Sequence, residues 1–115
     1  MKQKSERISS PYLTDILTAI DRVKEYVSDQ DLESFKENKM IIDAVMRNLE
    51  VIGEAVSQLP EEVKTKHPEI PWRDIKDFRN IVAHRYWEIN LDRIWDIVCN
   101  KLDELHEQIS TILKQ

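Results

Sequence analysis

A single glycine, Gly53, serves all 115 residues of this chain. Sheet proteins draw on glycine for hairpin turns, bulges and corners, so such a chain is steered toward helices. The apolar spacing agrees. Leu13, Ile16, Leu17, Ile20, Val23 and Val27 recur at threes and fours, which is one face of an amphipathic helix. With Ser10 as cap and Pro11 in the first turn, that helix is expected to run from Ser10 to about residue 28. Residues 1–9 are expected to be flexible, and residues 31–37 to form a turn or two around Leu32 and Phe35.

A second long helix is predicted from about Asn38 to Gln58, with Asn38 as cap and Pro60 beyond its end. Its apolar set is Met40, Ile41, Ala44, Val45, Leu49, Ile52, Ala55, Val56 and Leu59. Gly53 lies inside it, where it costs about 1 kcal/mol relative to alanine. A close approach by another helix is the expected reason. Residues 60–71 hold Pro60, Pro68 and Pro71 and read as a connection, with one helical turn over 61–66. A further helix is expected from Pro71–Trp72, with Ile75, Phe78 and Val82 inward, fading between His84 and Asn90. Asn90 then caps a last helix to Leu113, whose apolar set is Leu91, Ile94, Trp95, Val98, Leu102, Leu105, Ile109 and Ile112.

Four such faces joined by short connections predict an all-α, four- to five-helix up-and-down bundle in one domain spanning residues 1–115. Trp72, Trp87 and Trp95 are candidate anchors for a partner on a spare apolar face. Cys99 is the sole cysteine, so no internal disulfide can form, and its helical register marks it as a small core residue. The polar N-terminus does not read as a signal peptide, and no stretch approaches the roughly 18 apolar residues of a membrane span. The expected location is the cytoplasm, with no membrane partner.

The net charge of −5 argues against broad coating of nucleic acid. Locally the balance reverses: residues 73–85 carry Arg73, Lys76, Arg79 and Arg85 against Asp74 and Asp77. Within that stretch, Arg79-Asn80-Ile81-Val82-Ala83-His84-Arg85-Tyr86 gathers two arginines, an amide, a histidine and a tyrosine. These types fit RNA cleavage without a metal. Histidine can take the proton from a ribose 2′-hydroxyl near neutral pH. Arginine can meet the charge that builds on the phosphate oxygens. Asn80 could orient the imidazole or hold a phosphate oxygen. DNA lacks the 2′-hydroxyl, so this chemistry selects RNA.

Helical geometry complicates the assignment. At about 100° per residue, Arg79 and His84 stand about 140° apart on a straight helix. Either the helix breaks near His84 or a second subunit completes the site. From residue types alone, such a helix is most often a solvated face. Other chemistries have less behind them: the sequence has no cysteine pair, HExxH or glycine-rich phosphate loop. No metal or cofactor is expected.

The segment Arg79 to Tyr86 resembles the Arg-x4-His-x-Tyr motif of the HepT-like toxins, a branch of the HEPN domains. Arg47 to Ala55 resembles that family's central helix, with its Gly-Glu-Ala. Pro71 to Ile75 and Phe78-Arg79-Asn80 resemble its approach to the motif, and the Trp95 helix resembles its last. Together the likeness covers about residues 10–112. It implies a homodimeric helical bundle whose two motifs face each other, and an RNase acting on tRNA or mRNA in a type VII-like toxin–antitoxin pair. Catalysis would map to Arg79 and His84, with Asn80 in support. The implied partner is an MNT-type nucleotidyltransferase antitoxin (MntA-like), which attaches AMP to the motif tyrosine, here Tyr86. A non-catalytic binding module that assists a nucleotidyltransferase is the alternative, and a purely structural helical dimer is the third reading.

Overall fold

The computed structural model describes residues 4–84 and 90–114, with side chains for 9–83 and 90–114. Among them no strand occurs. Helix α1 spans Lys4–Val27, α2 Leu32–Glu37, α3 Lys39–Gln58, α4 Glu61–Lys66, α5 Trp72–Lys76 and α6 Phe78–His84. The last helical run comprises α7 (Leu91–Asp96), a π-helical turn (Ile97–Lys101) and α8 (Leu102–Lys114).

Helix α1 begins six residues before the expected Ser10, and Pro11 lies inside it. Proline there removes the N–H that would bond back one turn, a penalty that normally ends a helix. The helix nevertheless continues upstream of Pro11, and Ser9, two residues before it, is buried. The other caps follow the sequence. The Asp31 carboxylate accepts from Ser34 N–H at 2.8 Å, and the Ser34 hydroxyl answers the Asp31 N–H at 3.0 Å. These bonds hold the Asp31 carboxyl below its ordinary value. Asn38 accepts from Ile41 N–H at 3.1 Å, and Asn90 from Arg93 N–H at 3.2 Å. Each satisfies a donor that a helix start leaves open.

Two contacts fix the direction of α8 against α1: the ion pair Lys24–Asp103 at 2.7 Å and a hydrogen bond between His106 Nε2 and Asp21 Oδ1 at 2.9 Å. One number rises as the other falls, so the helices are antiparallel. Helix α3 returns along α1 in the opposite sense, and α5–α6 runs back along α3, Lys76 and Arg79 lying at Gly53 and Ala83 beside Glu50. The bundle is therefore up-and-down, as expected. Its core holds Ile16, Ile20 and Val23 from α1, Val45, Leu49, Ile52 and Val56 from α3, and Val98, Leu102 and Ile109 from the last run. At about 25 cal/mol per Å² of apolar area removed from water, these side chains supply most of the driving force.

Some register expectations shift. Met40 is 81% exposed, while Ile42 and Met46 are buried. The stripe 42–45–49–52–56 advances by threes and fours, which turns Met40 to the far side. In α6, Ile81 is buried and Val82 only partly so. Burial there follows Trp72, Ile75, Phe78 and Ile81 in steps of three, across a flattened turn at Asp77 (φ −66°, ψ −13°).

The last helix contains a feature that periodicity did not disclose. Ile94, Val98 and Leu102 are spaced by four twice in succession, which would carry the stripe about 80° around an ideal α-helix. The Leu102 N–H instead bonds to the Ile97 carbonyl, five residues back. This wider turn winds more slowly and returns all three to the core. Cys99 lies in it half-buried rather than in the core, and burial pushes its thiol up.

Two of the three tryptophans lie among the described residues. Trp72 is buried and donates its indole N–H to the His67 carbonyl at 3.0 Å. Trp95 packs on Phe35 with ring centres 5.0 Å apart. Trp72 belongs to this chain's own core and Trp95 is partly buried against it, and Trp87 lies outside the described residues. Among the described residues no helix is long and apolar enough to cross a membrane.

Candidate RNA-cleavage site

The site is built where α5–α6 meets the middle of α3, and Gly53 explains how closely they approach. A Cβ at position 53 would stand 2.7 Å from Arg79 Cγ, 3.1 Å from Arg79 N and 3.3 Å from the Lys76 carbonyl oxygen. The backbone of the crossing helix thus occupies the space a side chain would need. The expected close approach of two helices is present, and the residue it admits is Arg79 itself.

The next residue on α3 completes the mounting. Glu54 Oε2 pairs with Arg79 Nε at 3.2 Å, and Glu54 Oε1 accepts from Gln58 Nε2 at 3.4 Å. Both carboxylate oxygens are engaged, which limits how the guanidinium can swing. Arg79 remains 46% exposed. With Glu54 paired at Nε, the terminal amino groups of the fork are the donors that could meet an anion. Local sequence gives Glu54 no role, although a glycine in mid-helix marks where a partner helix crosses and so where to search.

Asn80 is exposed and donates through Nδ2 to Asp77 Oδ1 at 2.7 Å. Its amide is tied back one turn along its own helix, leaving Oδ1 and one N–H. His84 is the last residue of α6, and its side chain is outside the described set. The backbone is helical from Phe78 through His84, so no break intervenes between Arg79 and His84, and their positions keep the separation of about 140°. Arg85 and Tyr86 lie outside the described residues.

Arg79 stands between two grooves. On the α1 side, a groove of about 390 Å³ is lined by Tyr12, Asp15, Arg47, Glu50, Glu54 and Arg79, among others. Arg47 is already paired with Glu50 there. On the α5 side, a groove of about 440 Å³ is lined by Glu50, Arg73, Lys76, Asp77, Arg79, Asn80 and Ala83. The first is net acidic and the second net basic, so the cationic stretch seen in the sequence gathers on one side of Arg79. A larger groove, of about 500 Å³, separates α5–α6 from the last helix. Arg79 and Asn80 do not line it, and its charged rim (Glu69, Asp74, Asp77, Asp96 and Glu104 against Arg93 and Lys101) is unsuited to a phosphate chain.

The remaining titratable groups sit elsewhere. His106 joins Asp21 between α8 and α1, and His67 lies near Glu69 in the connection. Among the described residues no three His, Cys, Asp or Glu side chains are grouped so as to hold a metal ion.

Comparison with known proteins gives the family of the chain. A family model described as Ribonuclease HepT-like matches residues 16–112. A Thermococcus cleftensis protein named probable ribonuclease HepT is 33% identical over 109 residues, covering 95% of this chain and 99% of that one. A Methanocaldococcus jannaschii protein, whose name assigns it provisionally as an RNase, is 39% identical over 103 residues, 90% of this chain and 85% of its own. A longer protein of the same organism, named as a gamma-glutamylcyclotransferase and, provisionally, an RNase, is 35% identical over 104 residues. Those residues are 90% of this chain but 47% of that protein, so the chain spans about half the length of this relative. No solved structure gives a significant match. An all-helical bundle with Arg79 seated on Gly53 and Glu54, matched by the family model over residues 16–112, belongs to the ribonuclease HepT-like family.

Proposed function

We propose that this chain is a metal-independent endoribonuclease and the toxin of a type VII-like HEPN/MNT toxin–antitoxin pair, with Arg79 and His84 as its catalytic residues. The observation that carries the reading is the mounting of Arg79. Its Nε is held by Glu54, and its half-exposed side chain lines a basic groove. A guanidinium so placed meets a phosphate with two donors and needs no metal to do so.

In the reaction, an imidazole takes the proton from the ribose 2′-hydroxyl. The 2′-oxygen forms a bond to phosphorus as the bond to the 5′-oxygen breaks, and that oxygen leaves with a proton from a general acid. The products are a 2′,3′-cyclic phosphate and a 5′-hydroxyl end. Arg79 offsets the charge on the non-bridging oxygens. His84 supplies the imidazole. Because α6 is unbroken between the two, Arg79 and His84 of one chain diverge, and a homodimer brings Arg79 of one protomer to His84 of its partner. Asn80 supports this cleft.

The substrate class is tRNA or mRNA. The proposed regulator is the MntA-like nucleotidyltransferase, transferring AMP to Tyr86, two residues beyond His84. An anionic adduct there would repel the RNA backbone and shut the cleft.

The test is cleavage of total tRNA by wild-type and His84→Ala protein with EDTA present. Cleavage by wild type alone supports the reading. Equal cleavage by both removes His84 from the mechanism. Cleavage by neither, with Tyr86 found unmodified by mass spectrometry, replaces the enzyme with an accessory subunit of a nucleotidyltransferase.

A further inference from the structure

The two grooves beside Arg79 are not equivalent, and the difference gives the substrate a direction. Arg73, Lys76 and Arg79 follow one another at three-residue intervals along α5–α6, spanning about 9 Å of helix rise. Both Arg73 and Lys76 are exposed. Among the described residues neither has an ion-pair partner, whereas Arg47, Lys64 and Arg79 are each paired with a glutamate. Arg73 and Lys76 also line the next groove along, between α4 and α5, together with Glu61, Lys64, Thr65 and Trp72. The two grooves thus share Arg73 and Lys76, the cations that precede Arg79 along α5–α6.

We propose that Arg73 and Lys76 form a phosphate-binding track that holds single-stranded RNA on the α5 side of Arg79, rather than on the α1 side. This rests on the ribonuclease reading. A stacked strand advances roughly 3.4 Å per nucleotide, so the course from Arg79 to Arg73 covers two to three nucleotides next to the one cleaved. The cations need not read bases; they hold the strand in line while Arg79 meets the scissile phosphate. The opposite groove, with Asp15, Glu50 and Glu54 along it, repels the same strand. A chain with net charge −5 thus confines RNA to one course, since cations left unpaired in an acidic body draw the phosphates to themselves.

The test measures binding of a short fluorescein-labelled single-stranded RNA by fluorescence anisotropy over a series of KCl concentrations. His84→Ala serves as the parent, so that the probe is not cut. Adding Arg73→Gln and Lys76→Gln together is expected to weaken Kd about tenfold. The plot of log Kd against log salt should become shallower by about 0.7 for each phosphate that is no longer neutralised. Arg73→Lys with Lys76→Arg keeps both charges and should restore affinity and slope. Asp15→Asn, on the other side, should leave binding unchanged or tighten it. Circular dichroism confirms that each variant is folded. If the glutamine pair matches the parent in Kd and slope while wild type cleaves RNA, the track is wrong and the ribonuclease reading stands. If Asp15→Asn weakens binding as much as the glutamine pair, the strand does not favour the α5 side. If the parent does not bind RNA and wild type does not cut it, both proposals fall together.

Discussion

The two faces of α5–α6 divide labour within thirteen residues. On the inward face, Trp72, Ile75, Phe78 and Ile81 are all buried. On the outward face, Arg73, Lys76, Arg79, Asn80 and Ala83 are exposed, and the four polar ones line a groove. The inward face stabilises the fold without touching the groove's charges. The outward face holds the charges and contributes little to stability, because exposed charged pairs are worth at most about 1 kcal/mol. A helix built this way gives a mount for a cationic centre, and on the proposed function stability and catalysis become separable by substitution.

The largest effect on that division is expected from Phe78→Ala. Removing a buried aromatic costs about 3–5 kcal/mol, a large share of the roughly 5–15 kcal/mol that typically holds a domain. Urea denaturation should show a sharply lower midpoint. At a temperature where the variant is still folded, cleavage per folded molecule should fall much less than stability. Equal losses of both would mean that the two faces are not separable.

Gly53→Ala tests the point at which the faces meet. Alanine favours a helix interior by about 1 kcal/mol, but its Cβ would stand 2.7 Å from Arg79 Cγ and 3.1 Å from Arg79 N. The side chain can swing aside; the backbone nitrogen can only retreat with α6. Propensity and crowding then oppose each other, and stability should move by less than about 2 kcal/mol. Cleavage should fall by about tenfold or more, since small displacements of a catalytic group are costly. A variant with normal cleavage would show that Arg79 tolerates being moved and that Gly53 serves packing alone.

How much of this was legible in the sequence differs between the fold and the site. Wherever a helix face followed regular steps of three and four, as in Leu49, Ile52 and Val56 of α3, the sequence disclosed it, and the caps at Asn38 and Asn90 were legible from residue type. Pro11 misled because proline favours helix starts, whereas the helix runs through it from Lys4. The π-helical turn at Ile97–Lys101 was hidden because periodicity arguments assume a constant 3.6 residues per turn. For the site, local composition singles out Arg79 and Asn80. It does not single out Glu54, which lies 25 positions earlier and whose pairing depends on where α6 crosses α3. Gly53 was the visible trace of that crossing, but a glycine in a helix reports proximity without naming what comes close. The placement of Arg73 and Lys76 on the same side as Asn80 follows from their spacing of three and four, but the division into an acidic and a basic groove depends on the crossing.

Glu54→Gln is expected to have a smaller effect than Gly53→Ala. The pair with Arg79 is half-exposed on both sides, so stability should fall by no more than about 0.5 kcal/mol. Glutamine can still accept a hydrogen bond from Nε, but it no longer offsets the guanidinium charge. Cleavage should fall severalfold through looser positioning. The discriminating measurement is a double-mutant cycle with Arg79→Ala: if Glu54 acts through Arg79, the cleavage loss from Glu54→Gln should vanish once Arg79 is gone. Additive losses would give Glu54 an independent role and weaken the view that α3 serves as a mount.

Asn80 is expected to matter least, and the substitution chosen decides what is learned. Its Nδ2 is bonded to Asp77 at 2.7 Å, a local bond on an exposed surface, so Asn80→Ala should change stability by less than about 0.5 kcal/mol. What Asn80 can still offer the groove is one N–H and the Oδ1 acceptor, a modest hold on substrate or on an imidazole, and removing it should lower cleavage by only a fewfold. Asn80→Asp should do more harm despite its near-identical shape. It replaces a donor to Asp77 with a second carboxylate, so that two like charges face each other one turn apart on the wall where RNA phosphate is proposed to lie. The expected order of cleavage is therefore wild type, then Asn80→Ala, then Asn80→Asp, and added salt should narrow the gap between the last two by screening the carboxylate. If the order reverses, with the aspartate better than the alanine, shape rather than charge governs this wall. The outward face of α6 would then be passive packing around Arg79, and its electrostatic division from the α1 side would have no bearing on the substrate.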